Sequence, residues 1–142
     1  MRQVIVSLTS TPANFHNLHN TVATLINQTV RPDSIVINAP KFYTRQDFNN
    51  DLFSTSLSTR FGSRGLVELN RCSDYGSSTK FIGLLDIARS IEDEDVIIVL
   101  DDDIGYPEKM IETYMHCIDS GEPDNIYGIV DSGRYGNSIV NQ

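Results

Sequence analysis

Three consecutive aspartates, Asp101, Asp102 and Asp103, follow directly on a strand-length apolar run in "VIIVLDDDIGYP", residues 96 to 107. Like charges held this close repel one another unless a cation or hydrogen-bond donors compensate them. In extended chain, side chains two apart point the same way, so Asp101 and Asp103 are expected to face one pocket while Asp102 faces elsewhere. Hard carboxylate oxygens with no Cys or His nearby suit Mg²⁺ or Mn²⁺ rather than Zn²⁺. Two carboxylates do not complete a protein cage, and such ions fill their shell with water and substrate phosphates, so the implied ligand is a phosphate ester or diphosphate. The alternative is an acidic loop that serves solubility alone.

A second acidic cluster, "EDED" at 92 to 95, stands at the other end of the same run. At about 3.3 Å per residue the two lie roughly 15 to 20 Å apart and cannot share a site. The "EDED" cluster reads as a solvated helix-to-strand turn.

Elements of alternating type surround these clusters. Val4 to Leu8 reads as a strand, and Phe15, Leu18, Val22, Leu25 and Ile26 recur at helical spacing after Pro12, which suits a first turn. Ser34 to Asn38 is a β-branched run bounded by Pro32 and Pro40, hence a second strand. The stretch from Thr44 to Leu57 is weakly helical, Leu66 to Leu69 is a short third strand, Thr79 to Ser90 a second helix, and Val96 to Leu100 a fourth strand. Pro107 opens a third helix that runs to Ser120, and "NIYGIV" at 125 to 130 offers a last strand. Strands alternating with helices predict an α/β, Rossmann-like, mostly parallel sheet with helices on both faces, in which ligands sit at the carboxyl ends of the strands.

The 142 residues suit one domain. Nineteen acidic against eleven scattered basic residues argue against nucleic-acid phosphates as a partner. The longest apolar run falls far short of the roughly 20 residues a membrane span needs, and the start turns polar too soon for a signal peptide. Cys72 and Cys117 form no CxxC pair and are too few for a disulfide framework, so the chain reads as a soluble, cytoplasmic protein with Cys117 as a small core residue. His16 and His19 share a helix face with no carboxylate or Cys near in sequence, and His116 suits a helix C-terminus.

Four stretches together resemble the nucleotide-sugar-dependent glycosyltransferases of the GT-A fold, family-2-like: "VIVSLTSTP" at 4 to 12, "LINQTVRPDSIVIN" at 25 to 38, "SDYGSSTKFIGLL" at 73 to 85 and "VIIVLDDDIGYP". The last corresponds to that family's DxD element. The resemblance implies that Thr9, Ser10 and Thr11, with Asn38 and Ala39, line the base and ribose pocket and that Asp74 faces the base. It implies that Lys80 lies near the phosphates, that Asp101, with Asp102 beside it, approaches the ribose, and that Asp101 and Asp103 hold the metal. The donor would be a nucleotide sugar, UDP-sugar favoured, and the acceptor a carbohydrate.

Ser77 and Ser78 stand where relatives carry Pro-Ala, and the sequence ends soon after "YGIVDSGRYG", where those enzymes continue into their acceptor-binding half. The resemblance thus implies a glycosyltransferase, or its nucleotide-sugar-binding part as a truncated GT-A unit, and the chain alone is expected to bind a nucleotide sugar, hydrolyse it slowly at best and transfer nothing to an acceptor. Residue by residue, the alternatives are Asp74 as the turn former of an Asp-x-Gly stretch and Lys80 as a surface lysine. Two other function classes stay open, a nucleotide-binding module without turnover and a metal-dependent phosphohydrolase that also places DxD after an apolar strand.

Overall fold

A computed structural model describes residues 1–44, 55–56, 65–87, 91–121, 127–132 and 136–141. Four strands, β1 (Val4–Thr9), β2 (Ser34–Pro40), β3 (Val67–Cys72) and β4 (Val96–Leu100), form one sheet in the order β3-β2-β1-β4. All three pairings are parallel, and Leu8 lies level with both Ile37 and Leu100. The helices are α1 (Phe15–Ile26), α2 (Thr79–Leu85) and α3 (Met110–Ser120), with short 3₁₀ turns at Pro12–Asn14 and Gly76–Ser78 leading into α1 and α2. The predicted α/β, Rossmann-like architecture is the observed one.

The central strands are buried along nearly their whole length, which explains why β1 and β2 read as continuous rather than alternating apolar runs. One face carries Val4, Val6, Leu8, Ile35, Ile37, Ala39, Ile98 and Leu100, packed under Leu18, Val22 and Leu25 of α1 and Met110 and Ile111 of α3. The other face presents Ile5 and Val36 to Leu84 of α2, with Ile87, Ile91 and Ile97 around them. Helices thus cover both faces.

Several boundaries differ from the sequence reading. Strand β3 runs on through Cys72, because Asn70, Arg71 and Cys72 continue the ladder with Asn38, Ala39 and Pro40. Helix α3 starts at Met110 rather than Pro107. The last strand, β5 (Tyr127–Ser132), pairs antiparallel with β6 (Gly136–Asn141), a hairpin the sequence reading did not include. The weak helix expected from Thr44 to Leu57 lies outside the described residues except at 44, 55 and 56. The "EDED" turn is more than solvated: Asp95 accepts the Gln3 N–H at 2.8 Å and the Glu92 N–H at 3.0 Å, fastening the amino ends of β1 and β4.

Seven residues of α2 are too few to stay helical in water without packing. A buried polar cluster holds the helix down. The fully buried Asn38 amide donates to Ser7 Oγ at 2.9 Å and Leu8 O at 3.0 Å, and its oxygen accepts from Asn70 Nδ2 at 2.8 Å. Asn70 Nδ2 also donates to the Gly83 carbonyl at 2.7 Å, and the Ser7 hydroxyl donates to the Lys80 carbonyl at 2.5 Å. Gly83 makes the close approach possible, since a Cβ there would sit 2.8 Å from Asn38 Oδ1.

Asn38→Ala strips a buried hydroxyl, carbonyl and amide of their partner at once, and is expected to lower unfolding free energy by about 2–3 kcal/mol in urea titration. Gly83→Ala is expected to lower it by about 1–3 kcal/mol through overpacking. Losses under about 0.5 kcal/mol for both would show that the cluster does not secure α2.

Candidate functional site

All four strands deliver their carboxyl ends to one edge of the sheet. The chain proceeds from β1 outward through β2 to β3, and returns to place β4 on the opposite side of β1. Such a reversal opens a crevice above the strand ends. A cavity of about 280 Å³ lies there, lined by Thr9, Ser10 and Thr11 after β1, Asn14 at the entry to α1, Pro40 and Tyr43 at and after the end of β2, Asp74, Gly76 and Ser77 after β3, and Asp102 after β4.

The three aspartates are treated differently. Asp102 is 8% exposed and belongs to the cavity wall. The Ser10 hydroxyl donates to its Oδ2, and Asn14 Nδ2 lies 3.4 Å from its Oδ1. Burial raises its pKa, and the bonds from Ser10 and Asn14 oppose that rise. Asp101 is exposed, with Lys80 Nζ 2.5 Å from its Oδ1. Asp103 is exposed as well. The expectation that Asp101 and Asp103 share the cavity while Asp102 turns away is therefore corrected. β4 ends at Leu100 and the chain bends at Asp102 and Asp103, so the two-residue alternation of a strand no longer applies.

Helix α1 fixes this bend. The buried Thr21 hydroxyl lies 2.9 Å from the carbonyl oxygens of both Asp102 and Ile104, and Thr24 Oγ1 accepts the Tyr106 N–H at 3.1 Å. Tyr106 in turn grips the Asp101 backbone: its hydroxyl oxygen accepts the Asp101 N–H at 2.9 Å and lies 3.2 Å from the Asp101 carbonyl. Burial is the main reason the Tyr106 phenol is pushed up to about 12. Just past the end of α1, Gln28 Nε2 donates to Pro107 O at 2.7 Å, and its Oε1 accepts the Ile111 N–H at 3.0 Å, capping α3 from a neighbouring segment.

Thr9, Ser10 and Thr11 line the cavity, and the Thr9 hydroxyl donates to the Asn38 carbonyl at 2.8 Å. Asn38 and Ala39 do not line it. The Asn38 side chain is consumed by the cluster beneath α2, and Ala39 faces the core under α1. Asp74 lines the cavity, yet its carboxylate is taken up by its own turn and by the segment after β2. Oδ2 accepts the N–H and hydroxyl of Thr44 at 2.8 and 2.9 Å, and Oδ1 accepts the Gly76 N–H at 2.9 Å with the Thr79 hydroxyl at 3.5 Å. Burial works against ionisation of Asp74, but these bonds outweigh it and hold its pKa below the usual carboxylate value. The Asp-x-Gly turn is thus present, with Gly76 at φ 62°. Lys80 stands beside the cavity on Asp101 rather than in its wall.

The sequence reading missed Asn14 and Tyr43 in the wall and Thr21, Thr24 and Gln28 behind it. Thr21 and Thr24 fall at i and i+3 on α1, a polar pair beside its apolar face, which was the available signal, and Gln28 follows just past the helix end. Nothing local marks Tyr43, whose hydroxyl donates to the Ser10 carbonyl at 2.7 Å across the sheet edge. Cys72 is buried, whereas Cys117 is only half-buried on α3 rather than in the core. His16, His19 and His116 are exposed.

The chemistry available is that of a cavity with a buried carboxylate, Asp102, in its wall, with the exposed Asp101 and Asp103 carboxylates and the Lys80 ammonium outside it. Among the described residues no group of three or more His, Cys, Asp or Glu is placed to hold a metal ion by protein ligands alone. Asp101 and Asp103 stay exposed as hard oxygen donors.

The raised pKa of Asp102 has a consequence for stability. A carboxyl group that ionises less readily when folded contributes stability that is full below its unfolded pKa, about 4, and is lost as pH rises through the folded value. Asp102→Asn is expected to gain thermal midpoint relative to the unmodified chain as pH goes from 4 to 7. Parallel pH profiles would show that burial does not penalise the ionised side chain.

No protein-family model matches the chain, and a search of curated proteins finds no match, so a functional reading stands on this geometry and on the motifs themselves.

Proposed function

We propose that the chain is the nucleotide-sugar-binding part of a glycosyltransferase, with a UDP-sugar as the favoured donor and a carbohydrate as the acceptor. The observation that carries the reading is the joining, at the carboxyl edge of a parallel sheet, of a cavity walled by the buried Asp102 to an exit where Asp101 and Asp103 stay exposed. At about 280 Å³ the cavity lies just below the roughly 300–1,000 Å³ typical of ligand pockets, which suits a nucleoside but not a whole donor. The diphosphate and sugar would then extend over residues 101–103.

In this reading Asp102 accepts a hydrogen bond from a ribose hydroxyl, held ready by Ser10 and Asn14, and Tyr43 supplies an apolar wall with its hydroxyl already tied to Ser10. Asp74 shapes the loop wall through Thr44 and Gly76. Asp101 and Asp103 would hold Mn²⁺ or Mg²⁺ together with diphosphate oxygens. When bound, such a cation stabilises the negative charge that develops on a departing diphosphate. Among the described residues no helix is long and apolar enough to cross a membrane, in keeping with a water-soluble donor.

Calorimetric titration with UDP, UMP, ADP and GDP, each in Mn²⁺ and in EDTA, tests the reading. UDP is expected to bind at least about tenfold more tightly in Mn²⁺ than in EDTA, and Asp103→Ala is expected to abolish that difference. Equal UDP affinity in the two buffers, or no binding of any nucleotide, would overturn it.

A further inference from the structure

The ion pair of Lys80 with Asp101 sits at the place where a cation would act. Its two members differ in how they are held. The backbone of Lys80 is fixed, because the Ser7 hydroxyl donates to its carbonyl at 2.5 Å and α2 is pinned through Asn70 and Gly83. Its side chain is not: Lys80 and Asp101 side chains are 26% and 59% exposed, and the ammonium ends a flexible four-carbon stem. Exposed pairs of this kind contribute little to stability, so the ammonium can leave Asp101 at small cost. Asp102 is the opposite case, buried and bonded at both carboxylate oxygens from β1 and the entry to α1.

We propose that Lys80 is an exchangeable counter-ion, neutralising Asp101 while no divalent cation is present, yielding that carboxylate when one arrives, and passing its own charge to the anionic ligand. This rests on the cation reading of the preceding subsection. Exchange keeps the aspartate exit from repelling itself in the empty state, and places a second positive charge beside a diphosphate in the loaded one. It also makes cation and diphosphate binding mutually supportive, because the ammonium displaced by the first becomes a partner for the second.

Two affinities should therefore move in opposite directions in Lys80→Met, a variant that leaves the Ser7 contact to the main chain intact. Free Mn²⁺ measured by electron paramagnetic resonance, without nucleotide, should show binding about three- to tenfold tighter in Lys80→Met than in the unmodified chain. UDP titrated at saturating Mn²⁺ should bind several-fold more weakly to the same variant. Lys80→Arg should restore both values, Lys80→Gln should repeat the Met result, and Asp101→Asn should lose the Mn²⁺ gain when combined with Lys80→Met. Thermal unfolding confirms that each variant is folded. Equal Mn²⁺ affinity with and without Lys80 would overturn the exchange and leave the cation reading standing. Absence of Mn²⁺ binding in every form would overturn both.

Discussion

Three adjacent carboxylates at the end of one strand must be separated, neutralised or hydrogen-bonded, and much of the fold around the cavity answers that constraint. Each aspartate is sent to a different environment. Asp102 is turned inward onto Ser10 and Asn14, Asp101 outward onto Lys80, and Asp103 is left at the surface. The dispersal needs a bend directly after Leu100, and the bend is held by polar groups of α1 and by Tyr106 rather than by the sheet. α1 therefore does two jobs, an apolar flank for the core and a polar stripe for the carboxylate loop.

The same logic extends to the opposite face. Ser7 and Asn38 put polar side chains in the middle of otherwise apolar central strands, an arrangement tolerated only when every group finds a partner. Their partners are the backbone and side chains that seat α2, and α2 is what carries Lys80 to Asp101. A short helix, a glycine and a buried amide thus connect the sheet interior to the charge balance at the cavity mouth.

Much of this was legible in the residues. The β-branched runs of β1, β2 and β4 and the 3.6-residue recurrence in α1 report burial directly, and the alternation of strand and helix fixes a parallel sheet. The orientation of the aspartates was not legible, because it depends on the bend after Leu100, which Thr21, Thr24 and Tyr106 hold from outside the run. Nor was the role of Asn38, whose side chain points beneath α2 only because Ser7, Asn70 and Gly83 converge there from distant parts of the chain. Gln28 and Thr29 belong to the quoted stretch "LINQTVRPDSIVIN", and the structure supplies their physical reason. Gln28 caps α3, Thr29 donates its N–H to Glu108 O at 2.8 Å, and Asp33 accepts the Val4 N–H at 2.7 Å.

The central claim is that the edge of the sheet where β1, β2, β3 and β4 end is a nucleoside diphosphate site. The most direct measurement is a ¹H–¹⁵N correlation titration of the full chain with UDP and Mg²⁺. Backbone amides of residues 9–14, 74–80 and 101–106 are predicted to shift together and saturate at one common affinity, while those of Gln3 and residues 92–95 at the opposite edge stay in place. Saturable shifts confined to that opposite edge, or none at all, would contradict the account.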